Sequence, residues 1–277
     1  MGVSNSIYKN LIRGIKITLR STFQNRYKKV NINPFVLNFF KLLPPNKTHT
    51  HNLLGHKTFF QGGLEYLTGL KEIFIDEIYE QQLPEQAFIL DCGAHIGLSV
   101  IYLKSICPSA KIICFEPDQT NYKNLQKNIL SHNLKDVVAN NEAVWIENTE
   151  LNFIQQGDMS SKLGGDGANS VKVKAVRLKD FLNQKIDFLK LDIEGAEYQV
   201  LKDIRQNLQY VQKMFVEYHG NFNQNSQLLE ILNFISEAGF HFYIQEAFPV
   251  HTRPFLSKQN RGAFDLQLNI FCFKLKS

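Results

Sequence analysis

From residue 88 onward the chain alternates short, continuous apolar runs with amphipathic stretches. The runs are Phe88-Ile89-Leu90, Ile112-Ile113-Cys114-Phe115, Val137-Val138, Phe188-Leu189-Lys190-Leu191 and Met214-Phe215-Val216, and helical periodicity occupies Ser99 to Ile106 and Asn121 to Leu130. Uninterrupted apolar strands alternating with helices predict a parallel sheet covered on both faces. Two segments depart from the alternation. Residues 151–154 and 171–176 alternate apolar with polar positions, as half-exposed strands do, and flank a glycine-rich stretch, which predicts a hairpin. Phe240 to Ile244 and Leu268 to Phe273 read as two further strands with no helical pattern between them, so they should pair antiparallel.

Ahead of this body the pattern differs. Ile7, Leu11, Ile15, Leu19 and Phe23 recur every four residues with Lys9, Arg13, Lys16 and Arg20 between them, which predicts a basic amphipathic helix. Pro44-Pro45-Asn46 followed by Thr48-His49-Thr50-His51 reads as a loop or linker. Apolar residues from Leu67 to Tyr79 return at helical spacing and lead into the body.

Charge sharpens the division. Residues 1–64 hold ten of the 31 Lys and Arg residues and no acid, which leaves 21 bases against 26 acids in 65–277. A basic, partly helical arm (1–64) is therefore expected ahead of an acidic catalytic domain (65–277). The arm's helix suits an anionic membrane surface or a docking face on the body. It lacks the continuous apolar core and small-residue cleavage site of a secretory signal, while Met1-Gly2-Val3-Ser4-Asn5-Ser6 fits the short myristoylation pattern. No apolar run approaches the ~18–20 residues of a membrane-spanning helix. Cys92, Cys107, Cys114 and Cys272 follow neither a disulfide nor a zinc spacing, and with the soluble composition this predicts a cytoplasmic protein, with membrane association through residues 7–23 as an option.

The chemistry concentrates at strand ends. Asp91-Cys92-Gly93-Ala94-His95-Ile96-Gly97 follows the first strand and precedes a helix, the layout of a turn that lines a nucleotide crevice. The next strand ends in Glu116, 19 residues after Gly97, where nucleotide-binding folds place the acid for the ribose hydroxyls. The glycines lack the G-x-G-x-x-G spacing of a nicotinamide site, and an acid precedes them. A carboxylate there repels a pyrophosphate and favours a cationic cofactor, and S-adenosylmethionine carries an ammonium and a sulfonium with no phosphate.

These residues, with Phe115-Glu116-Pro117 and Ile186-Asp187-Phe188-Leu189-Lys190-Leu191-Asp192-Ile193-Glu194-Gly195-Ala196-Glu197, resemble the FkbM family of S-adenosylmethionine-dependent methyltransferases over roughly residues 88–245. The third motif is the most specific. The resemblance implies an α/β, Rossmann-like methyltransferase fold with a seven-stranded, mostly parallel sheet and one antiparallel C-terminal strand. His95 departs from the Asn usual in the family. The candidate cofactor-binding set is Asp91, Gly93, Ala94, His95, Gly97, Glu116, Pro117, Glu142 and Asp192. Three of these acids have a plainer alternative: Asp91 as a cap for the turn, Glu116 and Glu142 as exposed loop acids. Glu194 and Glu197 fall in the first turn of the next helix, where they complement its dipole.

The fifth strand runs into Glu217-Tyr218-His219-Gly220, and alternation puts Glu217 and His219 on one side at the crevice end. His219, Asp192 and Glu217 are the catalytic candidates, with His219 as a general base for an acceptor hydroxyl or, alternatively, a packed histidine. Asp192, Glu194, Glu217 and His219 offer metal-ligating groups as well, but no spacing fixes their distances and no metal site is assigned. The resemblance implies O-methylation of a sugar, glycan or polyketide-like hydroxyl. Rival expectations are an RNA methyltransferase using the basic arm, which the acidic body disfavours, and a noncatalytic adaptor holding a membrane or partner.

Overall fold

The computed structural model describes residues 28–32, 34–154, 162–163, 170–248, 250, 255 and 263–275. The amphipathic helix expected over residues 7–23 lies outside them. The chain divides into two compact units between Glu80 and Gln81. The charge-based boundary at 64/65 falls within a helix of the first unit.

In the first unit α1 (Pro34–Phe40) precedes β1 (His49–Leu53) and β2 (His56–Phe60), which pair antiparallel with Leu53 opposite His56. The connecting residues Leu54 and Gly55 both have positive φ, 51° and 84°, as a type I′ hairpin turn demands. This corrects the loop expected at Thr48–His51. The histidines there face inward as aromatic rings: His51 lies edge-on to Phe40 at 5.3 Å, and its Nδ1 sits 3.0 Å from the Tyr66 hydroxyl. α2 (Gly63–Leu70) then continues through a π-helical turn, Lys71–Ile75, so the helix expected from Leu67 to Tyr79 starts and stops earlier.

The second unit begins with β3 (Phe88–Cys92), α3 (Leu98–Ile106), β4 (Lys111–Phe115), α4 (Gln119–Ser131) and β5 (Val137–Asn140). Asp118 caps α4 by accepting the backbone N–H groups of Thr120 and Asn121, both at 2.8 Å. Four strands then form a separate small sheet: β6 (Ala143–Trp145), β7 (Thr149–Ile154), β8 (Lys162–Leu163) and β9 (Ser170–Arg177), in the order β6-β9-β7-β8. β7 and β9 make the expected antiparallel hairpin, with Leu151 opposite Val173. β6, whose three residues carry too short a pattern to announce a strand, pairs parallel to β9.

The main sheet resumes with β10 (Phe188–Leu191), α5 (Glu197–Ile204), β11 (Lys213–Gly220), α6 (Asn225–Glu237), β12 (His241–Glu246) and β13 (Leu266–Phe273). Its seven strands run in the order β12-β13-β11-β10-β3-β4-β5. β13 alone runs against its neighbours, inserted between β11 and β12. Leu189, Leu191, Val200, Leu201, Val216 and Ile270 are fully buried and fill the core between β10, β11, β13 and α5. This is why those strands read as continuous apolar runs. Strand order reverses at β3 and β10: β4 lies on one side of β3, and β10 and β11 on the other. Open α/β sheets place their ligand crevice at the carboxyl ends of the strands at such a switch point.

Candidate active site

The turn after β3 is tied to its neighbours by its own backbone. Gly93 and Ala94 donate N–H groups to the Phe115 carbonyl at 3.0 and 2.9 Å, and Asn128 Nδ2 donates to the Ile96 carbonyl at 2.8 Å. Gly93 has φ of 88°, and a Cβ there would stand 1.8 Å from the Asp192 carbonyl oxygen. Only glycine permits this approach of β3's turn to the end of β10. His95, also left-handed with φ of 50°, donates its backbone N–H to Glu116 Oε2 at 2.8 Å.

Glu116 stands at the end of β4, nearly buried. Its Oε1 accepts the Asp118 N–H at 2.9 Å, so each carboxylate oxygen takes one backbone donor and keeps lone-pair capacity. Burial pushes its pKa up to about 7 against the opposing pull of His95 and the two N–H bonds. Pro117, which follows Glu116, and Glu142, after β5, are half-buried. Asn141, which the sequence did not single out, donates Nδ2 to the carbonyls of Glu116 at 2.8 Å and Pro117 at 3.1 Å.

Asp91 is fully buried. It accepts the Ser99 hydroxyl at 2.5 Å and lies 3.5 Å from Lys190 Nζ. Lys190 is itself buried and donates to the Gly93 carbonyl at 2.8 Å and to Asp192 Oδ2 at 3.0 Å. The lysine therefore links Asp91, the glycine turn and Asp192, and of the two aspartates Asp192 is the one with an exposed side, at 23% of its side chain. Only the residue type betrays Lys190 in sequence: a lysine within an otherwise apolar strand needs an internal carboxylate.

The third group surrounds His219 at the end of β11. Its Nδ1 is 3.3 Å from Glu197 Oε1, and its Nε2 is 3.6 Å from both Glu194 Oε2 and Glu217 Oε1. Glu217 and His219 thus share a side, as alternation required. Phe264 packs on the ring at 4.9 Å between centroids. Glu197 does more than complement a helix dipole. Fully buried, it accepts the N–H groups of Ile193 and Gly195 at 3.1 Å, so one carboxylate fixes both the loop after β10 and the imidazole. Burial pulls the His219 pKa down, but the bond to Glu197 and the charges of Glu197, Glu194 and Glu217 outweigh it and hold the imidazole well above its ordinary value. Burial raises Glu194, with His219 pulling the other way and Asp192 and Glu197 adding to the rise. Glu194 also holds a left-handed backbone, φ 54°, a strain of ~1–3 kcal/mol for a non-glycine residue.

A doubly wound sheet with one inserted antiparallel strand, a glycine turn at its switch point, and acids ending β4 and β10 define the Rossmann-like methyltransferase class. Residues 91–242 match the Methyltransferase FkbM domain, and the chain belongs to that family. It is 29% identical over 163 residues to "Methyltransferase 1" of Beauveria bassiana, a match covering 48% of this chain and 65% of that one. It is 30% identical over 190 residues to "Methyltransferase sdnD" of Sordaria araneosa, covering 53% and 72%. Among solved structures it resembles Methyltransferase FkbM from Methylobacillus flagellatus KT, with a TM-score of 0.48 and 17% identity over 71% of this chain and 46% of that one. M. jannaschii TYW2 in complex with AdoMet aligns with a TM-score of 0.44 and 12% identity over 82% and 87%. The chain thus spans less than two thirds of the length of the first curated relative and about half that of the solved FkbM methyltransferase.

Proposed function

We propose that the protein methylates a hydroxyl oxygen of a sugar, glycan or polyketide-like acceptor, with S-adenosylmethionine as methyl donor. The residues suit that cofactor. Glu116 keeps two acceptor positions for the vicinal ribose hydroxyls, and Asp192 offers a carboxylate to the ammonium. Bound there, the cofactor supplies an electrophilic methyl group on a sulfonium. Ala94, His95 and Gly97 line the turn toward it, and Glu142 and Pro117 stand on the adenine side.

The observation that carries the oxygen acceptor is the His219 cluster. A hydroxyl is a weak nucleophile until its proton leaves, and Glu217 and Glu194 set two proton-accepting carboxylates against His219 at the carboxyl ends of β10 and β11, beside the glycine turn. The O–C bond forms as the S–C bond breaks in line, and the acceptor's proton passes to this cluster. Glu197 orients the imidazole, and Phe264 covers one face of it. We place this activity in the cytoplasm, with residues 7–23 holding the protein to anionic membrane surfaces. No helix among the described residues is long and apolar enough to cross a membrane. Incubation with methyl-labelled cofactor and fractionated hydroxyl-bearing metabolites tests the reading: label in an alkali-stable methyl ether supports it, and label only on nitrogen, sulfur or RNA refutes it.

A further inference from the structure

The carboxylates around His219 outnumber what one imidazole can neutralise. Asp192, Glu194, Glu197 and Glu217 all approach a ring whose side chain is only 2% exposed. Lys190 answers Asp192 at 3.0 Å, but Glu194, Glu197 and Glu217 share the single imidazole, an arrangement that favours a further cation. We propose that His219, Asp192 and Glu194 bind a divalent metal ion, with Glu217 at its side.

Geometry carries the proposal. One donor atom from each of Asp192, Glu194 and His219 falls within 4.8 Å of the others. The two 3.6 Å separations from Nε2 to Glu194 and Glu217 are too long for hydrogen bonds. They approach the ~3–3.5 Å between two donors that share a cation at about 2.0–2.2 Å. Glu194 Oε2, shielded from solvent, accepts no hydrogen bond. The ring's other nitrogen supplies an independent sign. Nδ1 is held by Glu197, a fully buried carboxylate that is itself fixed by backbone N–H groups. A carboxylate that accepts the Nδ1–H keeps the ring's proton on that side, so that in the neutral tautomer the Nε2 lone pair is the one turned to a metal, and this outer partner is the usual companion of a ligating histidine.

The donor chemistry narrows the ion. One imidazole nitrogen with carboxylate oxygens suits Mn²⁺, Fe²⁺ or Zn²⁺ better than Ca²⁺ or Mg²⁺, which take oxygen alone. Placed at the ends of β10 and β11, the ion would hold the acceptor and ease loss of its hydroxyl proton, and that proton would leave to a carboxylate rather than to the imidazole. This role rests on the oxygen-acceptor reading; the binding site itself does not.

The test uses the full chain stripped with a chelator and titrated with Mn²⁺, free ion being followed by its paramagnetic resonance signal. One saturable site is expected, weakened by more than about tenfold in both Glu194→Gln and His219→Ala. S-adenosylhomocysteine binding reports that each variant is folded, and the half-exposed Glu194 gives the milder change should His219→Ala misfold. Absence of saturable uptake by the folded protein overturns the proposal, as does uptake unchanged by Glu194→Gln. Methyl transfer that continues undiminished in chelator, with no uptake, removes the metal and leaves the transfer reading standing.

Discussion

Lys190 Nζ donates to the Gly93 carbonyl at 2.8 Å and so joins the strand carrying the family's most specific motif to the turn that precedes α3. The same ammonium faces Asp91 and Asp192. Removing it would strand Asp91, fully buried, without its counter-charge. Lys190→Met should therefore destabilise the protein by ~3–5 kcal/mol. Adding Asp91→Asn to that variant should recover part of the loss, because the orphaned charge goes with it. Denaturant melts of the two variants check this, and a single variant as stable as the parent would show that the triad contributes nothing.

Glu116 is expected to bind the ribose of the cofactor. Glu116→Ala should weaken S-adenosylhomocysteine by ~1–3 kcal/mol, the loss for hydrogen bonds to a charged group. Titration calorimetry that finds equal affinity in variant and parent would remove Glu116 from the ribose.

The raised pKa of Glu116 adds a pH signature. Folding lifts it from an ordinary carboxylate value to about 7 through burial. The folded protein therefore holds a proton that the unfolded chain has released, and this group's contribution to stability falls as pH rises from about 4.5 to 7, by about 3 kcal/mol in all. Two hydroxyl donors favour the ionised carboxylate, so cofactor binding expels the proton and should tighten between pH 6 and pH 8. Glu116→Gln should flatten both trends relative to the parent. A parent whose affinity does not change over that range would contradict the account.

His219→Gln should lower turnover by ~10²–10⁴-fold, the range for a disabled proton-transfer site, because the carboxylates that take the acceptor's proton lose the ring that positions them, and leave S-adenosylhomocysteine affinity nearly unchanged. Single-turnover rates and calorimetry on the same preparation separate the two quantities. Equal rates would reduce His219 to a packed ring between Phe264 and Glu197.

Membrane contact through residues 7–23 can be tested separately. The full chain should co-sediment with anionic vesicles at low salt and release at high salt, at about 1 kcal/mol for each base near the surface, whereas a chain beginning at Lys28 should stay in solution. A docked helix predicts the reverse: no sedimentation, and a shortened chain with a lower melting temperature.

The main sheet was legible because its strands are buried on both faces, so Phe88–Cys92, Lys111–Phe115 and Phe188–Leu191 read as apolar runs interrupted only by Asp91, Lys111 and Lys190. Glycine turn, Glu116 and the paired Glu217 and His219 were legible because they fall where those runs stop. Elements stabilised by specific partners were not. The hairpin at His49–Phe60 hides behind histidines that pack as aromatic rings, and β6 is three residues long. Glu197 reads as a helix-start acid, and its grip on His219 depends on a contact 22 residues away. Lys190 and Asp91 are joined across 99 positions, and Phe264 meets His219 from a segment with no pattern of its own.

The central claim is transfer of a methyl group to oxygen at the crevice between β3 and β10. The most direct measurement uses ¹³C-methyl-labelled S-adenosylmethionine, the full chain and a hydroxyl-bearing acceptor fraction, with the product analysed by carbon NMR and mass spectrometry. The account predicts one labelled methoxyl carbon per product molecule, formed more slowly with Glu116→Ala at limiting cofactor, in proportion to the lost affinity, and strongly slowed with His219→Gln. Labelled product bearing its methyl on nitrogen, carbon or sulfur, or formation of methoxyl product at the parent rate in both variants, would contradict it.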